Sequence, residues 1–380
     1  LVMKGPKRSG IDFFIGEGKY HGRLKDARLA MITNQTGVSI DYRLSHCLVN
    51  ERFRLVKLFS PEHGLFGNCG AGEDVDFYID SFTGLPVYSL YKAGDQSIAD
   101  SMLEDVDVLV YDIQDVGVRC YTYISTLYEA MKTCQRTKTS IVVLDRAPML
   151  GRRLDGLMLS DDVRSFVGIY EIPFRYGLTP GEFARLVYRE KDYDFPLEIV
   201  EVDPSGIVEN HERFEYAFVP PSVSIPTLDS ALAYSAMALL EGTNVSEGRG
   251  TSTPFQVFGA PYMEAKTLLG ELEGLCLGGV KFVPASFTPS FSKHSGVQCQ
   301  GCRMVFVDKA AFNPFETIAR ILDVFGELYP NDFELLEDGN KIARLLGRPA
   351  HIGMKFSSLL EQCEMDCRAF EKRIEDIVLY

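Results

Sequence analysis

Six short apolar runs, at 29–33, 55–59, 86–91, 106–113, 140–144 and 197–202, recur between helix-like stretches in the first half of this chain, and that alternation constrains the fold most. Each run is mainly apolar and does not alternate with polar residues as a half-exposed strand would, as in a strand covered on both faces. Helical patterns at 41–53, 98–103, 122–134 and 179–189 supply the cover. Strand–helix alternation of this kind predicts an α/β fold built on a Rossmann-like, doubly wound parallel sheet. At 380 residues there is chain enough for two cores. Past Asp203 the composition changes, with Pro204, Gly206, Pro220, Pro221 and Pro226 marking a connection. The expected division is therefore a Rossmann-like domain at 1–205 and a smaller mixed α+β domain at 206–380. Within the second, helices are expected at 229–240, 314–328 and 354–377, with a strand at 303–307.

The apolar runs end in polar residues that a buried sheet does not need. The first leads into Thr33, Asn34, Gln35, Thr36 and Gly37, and the second into Pro61, Glu62, His63 and Gly64. The fourth leads into Asp112, Gln114, Asp115 and Gly117, and the fifth into Asp145 and Arg146. Any one such cluster reads as a helix cap or a turn. Four at equivalent strand ends converge on one crevice, where ligands bind in open α/β sheets. A Gly-rich polar loop from Glu241 to Thr251 offers a further place where backbone can approach a ligand, or is a plain irregular loop.

Several chemistries are excluded. The net charge is −14 with no block of Lys and Arg, so nucleic acid and anionic membrane are poor partners. No apolar run approaches the roughly 20 residues of a spanning helix. Residues 1–10 are short and basic with no apolar segment behind them, which is not an intact signal peptide. No GxGxxG follows the first strand and no Walker A motif occurs, while Gly67–Gly72 (GNCGAG) has the wrong order, so no NAD or ATP cofactor is expected. Nine scattered cysteines would leave one unpaired in a disulfide framework. Cys299 and Cys302 form a single CxxC without a second pair, and Cys363 and Cys367 lie one helical turn apart, so no metal site is expected.

Glu62 beside His63, just past a strand end, suits general acid and base work, because a water-poor crevice favours the protonated carboxyl. Asp112, Asp115, Glu241 and Glu247 are further carboxylates that could serve. Glycoside hydrolysis needs two carboxyl groups, or one and a substrate group in the second role.

These residues stand in the blocks TNQTG (33–37), FSPEHGLFG (59–67), TGLPVYSLY (83–91), DVLVYDIQDVGVRCYTYI (107–124), SFVGIYEIPFRYGLTPGE (165–182), EGTNVSEGRGTSTPF (241–255), GAPY (259–262) and FTPSFSKHSG (287–296). In order and over most of the chain, they resemble the exo-β-N-acetylmuramidase family, NamZ-like proteins formerly catalogued as a domain of unknown function. The resemblance implies release of β-linked N-acetylmuramic acid from the non-reducing end of peptidoglycan fragments, in a cleft between a Rossmann-like domain and a C-terminal one. It implies Glu62 as the essential catalytic residue, with His63 beside it. By position in the matching blocks, Asn34, Asp112, Gln114, Asp115, Arg119, Tyr121, Glu241, Asn244 and Glu247 join the expected binding set. Arg119, Arg146 and Arg249 are candidates to pair with the lactyl carboxylate of a muramic acid. The chain departs from the family's pattern at Ala147, Tyr176 and Val223, in expected binding loops. A substrate of this kind places the protein in the periplasm or outside the cell, with a cytoplasmic recycling role as the alternative suggested by the cysteines. Other readings are a non-catalytic binder of cell-wall sugars or muropeptides, and an amidase or esterase, which the absence of GxSxG and HExxH weakens.

Overall fold

Seven strands make the main sheet: β1 (Arg28–Thr33), β2 (Arg54–Ser60), β3 (Tyr78–Ile79), β4 (Pro86–Ser89), β5 (Val108–Asp112), β6 (Ser140–Leu144) and β7 (Leu197–Val200). The computed structural model describes residues 6–67, 77–90, 97–210 and 213–380. The strand order is β3-β4-β2-β1-β5-β6-β7, and every adjacent pair is parallel except β3 with β4. From β1 the chain winds outward through β2 and β4, then returns to β5 on the other side of β1 and continues through β6 and β7. The loops after β1 and β5 therefore diverge, and such a switch point opens a crevice at the carboxyl ends of the strands.

Alternate residues of each strand supply opposite cores. Leu29, Met31, Val108, Val110, Val142 and Leu144 lie on one face, under helices Gly10–Gly16 and Ser45–Arg52. Ala30, Ile32, Leu109, Tyr111, Ile141 and Val143 lie on the other, with helices Tyr123–Thr137 and Pro180–Glu190. The second of these helices starts where its sequence says it should. Thr179 and Glu182 form a capping box around Pro180 at the first turn, a feature worth about 1 kcal/mol.

The second face continues without a break into the C-terminal half. There β8 (Val257–Ala260), β9 (Val280–Phe287) and β10 (Cys299–Phe306) form an antiparallel sheet in the order β8-β10-β9. Helices Leu228–Met237 and Pro314–Leu328 pack beside it, and Phe258 and Phe325 belong to the same buried cluster as Tyr111. The expected single helix at 354–377 is a 3-10 turn, Phe356–Leu359, followed by helix Leu360–Ile374. That last segment crosses back to the first half, where Arg373 pairs with Glu190 at 2.6 Å and the Tyr380 hydroxyl donates to Asp145 at 2.8 Å. The expected helix at 98–103 is only a short 3-10 turn, Asp100–Leu103.

Candidate active site

Beyond β2, Pro61 ends the strand and a turn closes with Gly64 N–H donating to the Pro61 carbonyl at 3.1 Å. His63 holds φ +72° inside this turn, a left-handed conformation that costs a non-glycine residue about 1 kcal/mol. Gly67 (φ +66°) passes so close to Gln35 that an added Cβ would lie 2.1 Å from its Nε2. That Gln35 amide donates to the carbonyls of Pro220 and Pro221 at 3.0 and 2.9 Å. Through it the Glu62 loop, the end of β1 and the connection between the two halves are held together.

The Glu62 carboxylate is half-buried, and its Oε2 accepts a 2.6 Å hydrogen bond from Thr122 Oγ1. Thr122 occupies the N-cap position of helix Tyr123–Thr137 but does not cap it. Its hydroxyl is turned to the carboxylate instead.

A cavity of about 280 Å³ lies beside this pair, lined by His63, Tyr121, Ser222, Val223, Ser224, Ile225, Tyr234, Arg249, Phe255, Phe291 and Ser292. Its walls thus come from the loops after β2 and β5, from the connection and from the C-terminal half. Aromatic contacts shape it: His63 and Tyr121 rings are 6.0 Å apart, Tyr121 meets Tyr234 edge-on at 5.7 Å, and Tyr234 meets Phe255 at 4.8 Å. Burial pushes the Tyr121 and Tyr234 hydroxyls well above the ordinary range, so both stay protonated donors. The Tyr121 hydroxyl lies near Ser222 and Tyr123 without a well-formed hydrogen bond.

Behind Tyr121 the other strand ends form a closed polar layer. Asn34 Oδ1 accepts from Thr36 N–H (2.9 Å) and Oγ1 (2.5 Å), and Thr36 Oγ1 accepts from Gln114 N–H at 2.9 Å. Gln114 Nε2 donates to the Asp115 and Ala147 carbonyls. Asp115 accepts from Gly117 N–H at 2.7 Å and from the Tyr176 hydroxyl, and burial raises its pKa to about 6. Asn34 Nδ2, Gln114 Oε1 and Asp115 Oδ1 remain buried without partners, the kind of atoms an internal water serves. The four residues are 0–4 % exposed, so Asn34, Asp112, Gln114 and Asp115 support the crevice from below and do not line it, contrary to the binding role expected for them. Of the three departures from the family pattern, Ala147 and Tyr176 fall in this layer and Val223 alone faces the cavity.

The three candidate arginines separate clearly. Arg146 grips Asp112 with Nε–Oδ1 at 2.5 Å and Nη2–Oδ2 at 2.9 Å and donates to the Val38 carbonyl, both side chains being buried. Arg119 donates to the carbonyls of Leu157, Ile172 and Leu345, and burial lowers its pKa to about 10. Both are buried and held by protein partners, with Arg119 Nε left unpartnered, and neither lines the cavity. Arg249 does line the cavity. Its Nη2 lies 2.7 Å from Glu241 Oε1, its Nε 3.4 Å from Glu247 Oε1, and its guanidinium sits 5.3 Å from the Phe255 ring centre. Burial works against its charge, yet the two carboxylates hold its pKa above the ordinary range. Glu247 is buried and also pairs with Lys293 at 2.8 Å, while burial raises the Glu241 pKa against the pull of Arg249.

Asn244, expected at the site, instead ties loops together. Its Nδ2 donates to the Asp332 carbonyl, and its Oδ1 accepts from the Tyr262 hydroxyl and Glu334 N–H. The structure therefore brings His63, Tyr121 and Arg249 to the wall of one cavity, with Glu62 next to His63 in the chain and Glu241 on the arginine. Thr122, Tyr234, Phe255 and Lys293 were not singled out from the sequence. Of the GNCGAG stretch, residues 68–72 lie outside the described residues, as does Cys69. The other eight cysteines are free thiols.

Comparison with known proteins finds relatives that cover the whole chain. The family model for the exo-β-N-acetylmuramidase NamZ N-terminal domain matches residues 29–229, and that for its C-terminal domain matches residues 232–380. A peptidoglycan β-N-acetylmuramidase NamZ of Bacillus subtilis (strain 168) is 38% identical, covering 100% of this chain and 93% of that protein. Two crystal structures of DUF1343 family proteins from Bacteroides fragilis NCTC 9343 superpose on it. One has a TM-score of 0.89 and 30% identity over 99% of this chain and all of the other, and the second has 0.77 and 26% over 98% of each. On full-length matches of both sequence and architecture, the chain belongs to the exo-β-N-acetylmuramidase NamZ family.

Proposed function

We propose that this chain is an exo-acting glycoside hydrolase that removes β-linked N-acetylmuramic acid from the non-reducing end of peptidoglycan fragments. The observation that carries the reading is the Glu62 carboxyl, held by Thr122 at 2.6 Å one residue from the wall of a cavity that both halves of the chain build. A single sugar enters that cavity, Glu62 protonates the departing glycosidic oxygen, and the oxygen of a water molecule ends on the anomeric carbon in its place. Thr122 fixes which carboxyl oxygen faces away from the substrate, and His63 and Tyr121 flank the sugar with one aromatic edge and one hydroxyl donor. The full-length similarity to a B. subtilis protein named for this activity supports the same conclusion. Peptidoglycan fragments are met outside the cytoplasmic membrane, so the role is cell-wall turnover in the periplasm or beyond it; no helix among the described residues is long and apolar enough to cross a membrane.

The test is Glu62→Gln assayed on a chromogenic β-N-acetylmuramic acid glycoside and on muropeptides analysed by mass spectrometry. The amide keeps the shape and the Thr122 contact but cannot supply a proton, so turnover falls by about 10²–10⁴ with an unchanged melting curve. Near-native turnover in this variant removes Glu62 from the reaction. Tight binding of intact muropeptides by the unmutated protein, with no sugar released, would make it a binding protein instead.

A further inference from the structure

Among the described residues, the cavity wall carries one arginine, Arg249, whose bonding is incomplete. Lys293, a neighbouring cation, donates to the carbonyls of Leu240 (2.6 Å) and Thr243 (3.0 Å) and lies 2.8 Å from Glu247 in an ion pair, so its charge is met from within the protein. Arg249 has five N–H donors. Among the described residues its one hydrogen bond is Nη2 to Glu241 Oε1, and the Nε, 3.4 Å from Glu247, is buried without a hydrogen bond. The guanidinium carbon lies 5.3 Å over the centre of the Phe255 ring.

The two carboxylates beside Arg249 differ in freedom. Glu247 has 2% of its side chain exposed and sits between two cations, whereas Glu241 is 25% exposed and, among the described residues, bonded to Arg249 alone. A carboxylate entering from the cavity can therefore take the Glu241 position and release Glu241 toward water. Two cations and two carboxylates balance in the free protein, so a ligand carboxylate that merely added to the cluster would leave an excess negative charge in a part-buried place. Exchange avoids that excess.

We propose that Arg249 reads the lactyl carboxylate of N-acetylmuramic acid and that Glu241 occupies that carboxylate's place in the free protein. The inference rests on the muramidase reading above and adds to it the basis of selection. N-acetylglucosamine is the same sugar without the lactyl ether, so a planar, aromatic-backed guanidinium beside the cavity is what distinguishes the two.

The experiment compares 4-nitrophenyl β-glycosides of N-acetylmuramic acid and of its lactyl carboxamide, which differ only in charge. The unmutated protein should prefer the acid in kcat/KM by about 10- to 100-fold, the range of a charge-assisted hydrogen bond. Arg249→Met should bring the acid-to-amide ratio close to one, and Arg249→Lys should retain part of it. Glu241→Gln, which weakens the competitor, should raise the ratio several-fold, a gain that misfolding cannot produce. A ratio unchanged in Arg249→Met, or lowered in Glu241→Gln, overturns the inference. Equal hydrolysis of both glycosides by the unmutated protein also overturns it while leaving the muramidase reading intact. If the unmutated protein hydrolyses neither, the muramidase reading fails instead. Calorimetry then decides the inference: binding of free N-acetylmuramic acid over N-acetylglucosamine, lost in Arg249→Met, supports it, and equal binding refutes it.

Discussion

Replacing Thr122 by valine removes one hydrogen bond from Glu62 and keeps the shape of the side chain. The bond is 2.6 Å long and runs to a carboxylate oxygen. Hydrogen bonds to charged groups contribute about 1.5–3 kcal/mol, so if the bond orients Glu62 in the transition state, kcat/KM should fall by about 10- to 150-fold. Stability should respond far less. A threonine at an N-cap ordinarily stabilises its helix by about 1 kcal/mol through its hydroxyl, but here the hydroxyl does not cap helix Tyr123–Thr137. The Thr122 carbonyl, which accepts from Thr126 N–H at 3.0 Å, is untouched by the substitution. Turnover of a chromogenic muramic acid glycoside and urea melts of Thr122→Val and Thr122→Ser measure the two effects side by side. Serine keeps the hydroxyl and should stay within a few-fold of native kcat/KM. A valine variant with native kcat/KM, or one that loses about 1 kcal/mol or more of stability while its activity loss merely tracks unfolding, would refute the reasoning and return Thr122 to the role of an ordinary cap.

Two further predictions concern the buried layer. Arg146→Met strands the Asp112 carboxylate in a fully buried site and should cost about 3–5 kcal/mol in a urea melt, whereas Arg146→Met with Asp112→Leu should recover much of that loss because the unpaired charge is gone. Asp145, buried and accepting from Gly181 N–H, Thr179 and Tyr380, has its pKa raised to about 6 by burial. Between its unfolded value near 4 and its folded value near 6 the native state therefore binds the extra proton, so stability falls as pH rises through that window, by up to about 3 kcal/mol for this group. Asp145→Asn should flatten that part of the stability–pH curve, and an unchanged slope would count against the assignment.

What could be read in advance, and what could not, follows from the range over which each feature is determined. Strand β6 and helix Pro314–Leu328 fall on the expected residues, because continuous burial and a 3.6-residue period are local properties. The two N-terminal helices, Gly10–Gly16 and Gly18–Leu24, have glycine starts and only seven residues each, so they carry little local signal and owe their form to the sheet face they cover. Strand β9 is mostly exposed along one edge and contains Pro284, which argues locally against a strand, yet the edge position of β9 tolerates it. The same distinction divides the site. Glu62 and His63 are marked by their place after a strand, a relation of a few residues. Arg119 looks equally suitable until its carbonyl partner at Leu345 is seen, 226 residues along the chain. A guanidinium is available to a ligand only if the fold leaves its donors unmatched, and that is set by contacts between distant segments. Arg249 meets this condition because its partner Glu241, eight residues before it, is partly open to water and can be exchanged.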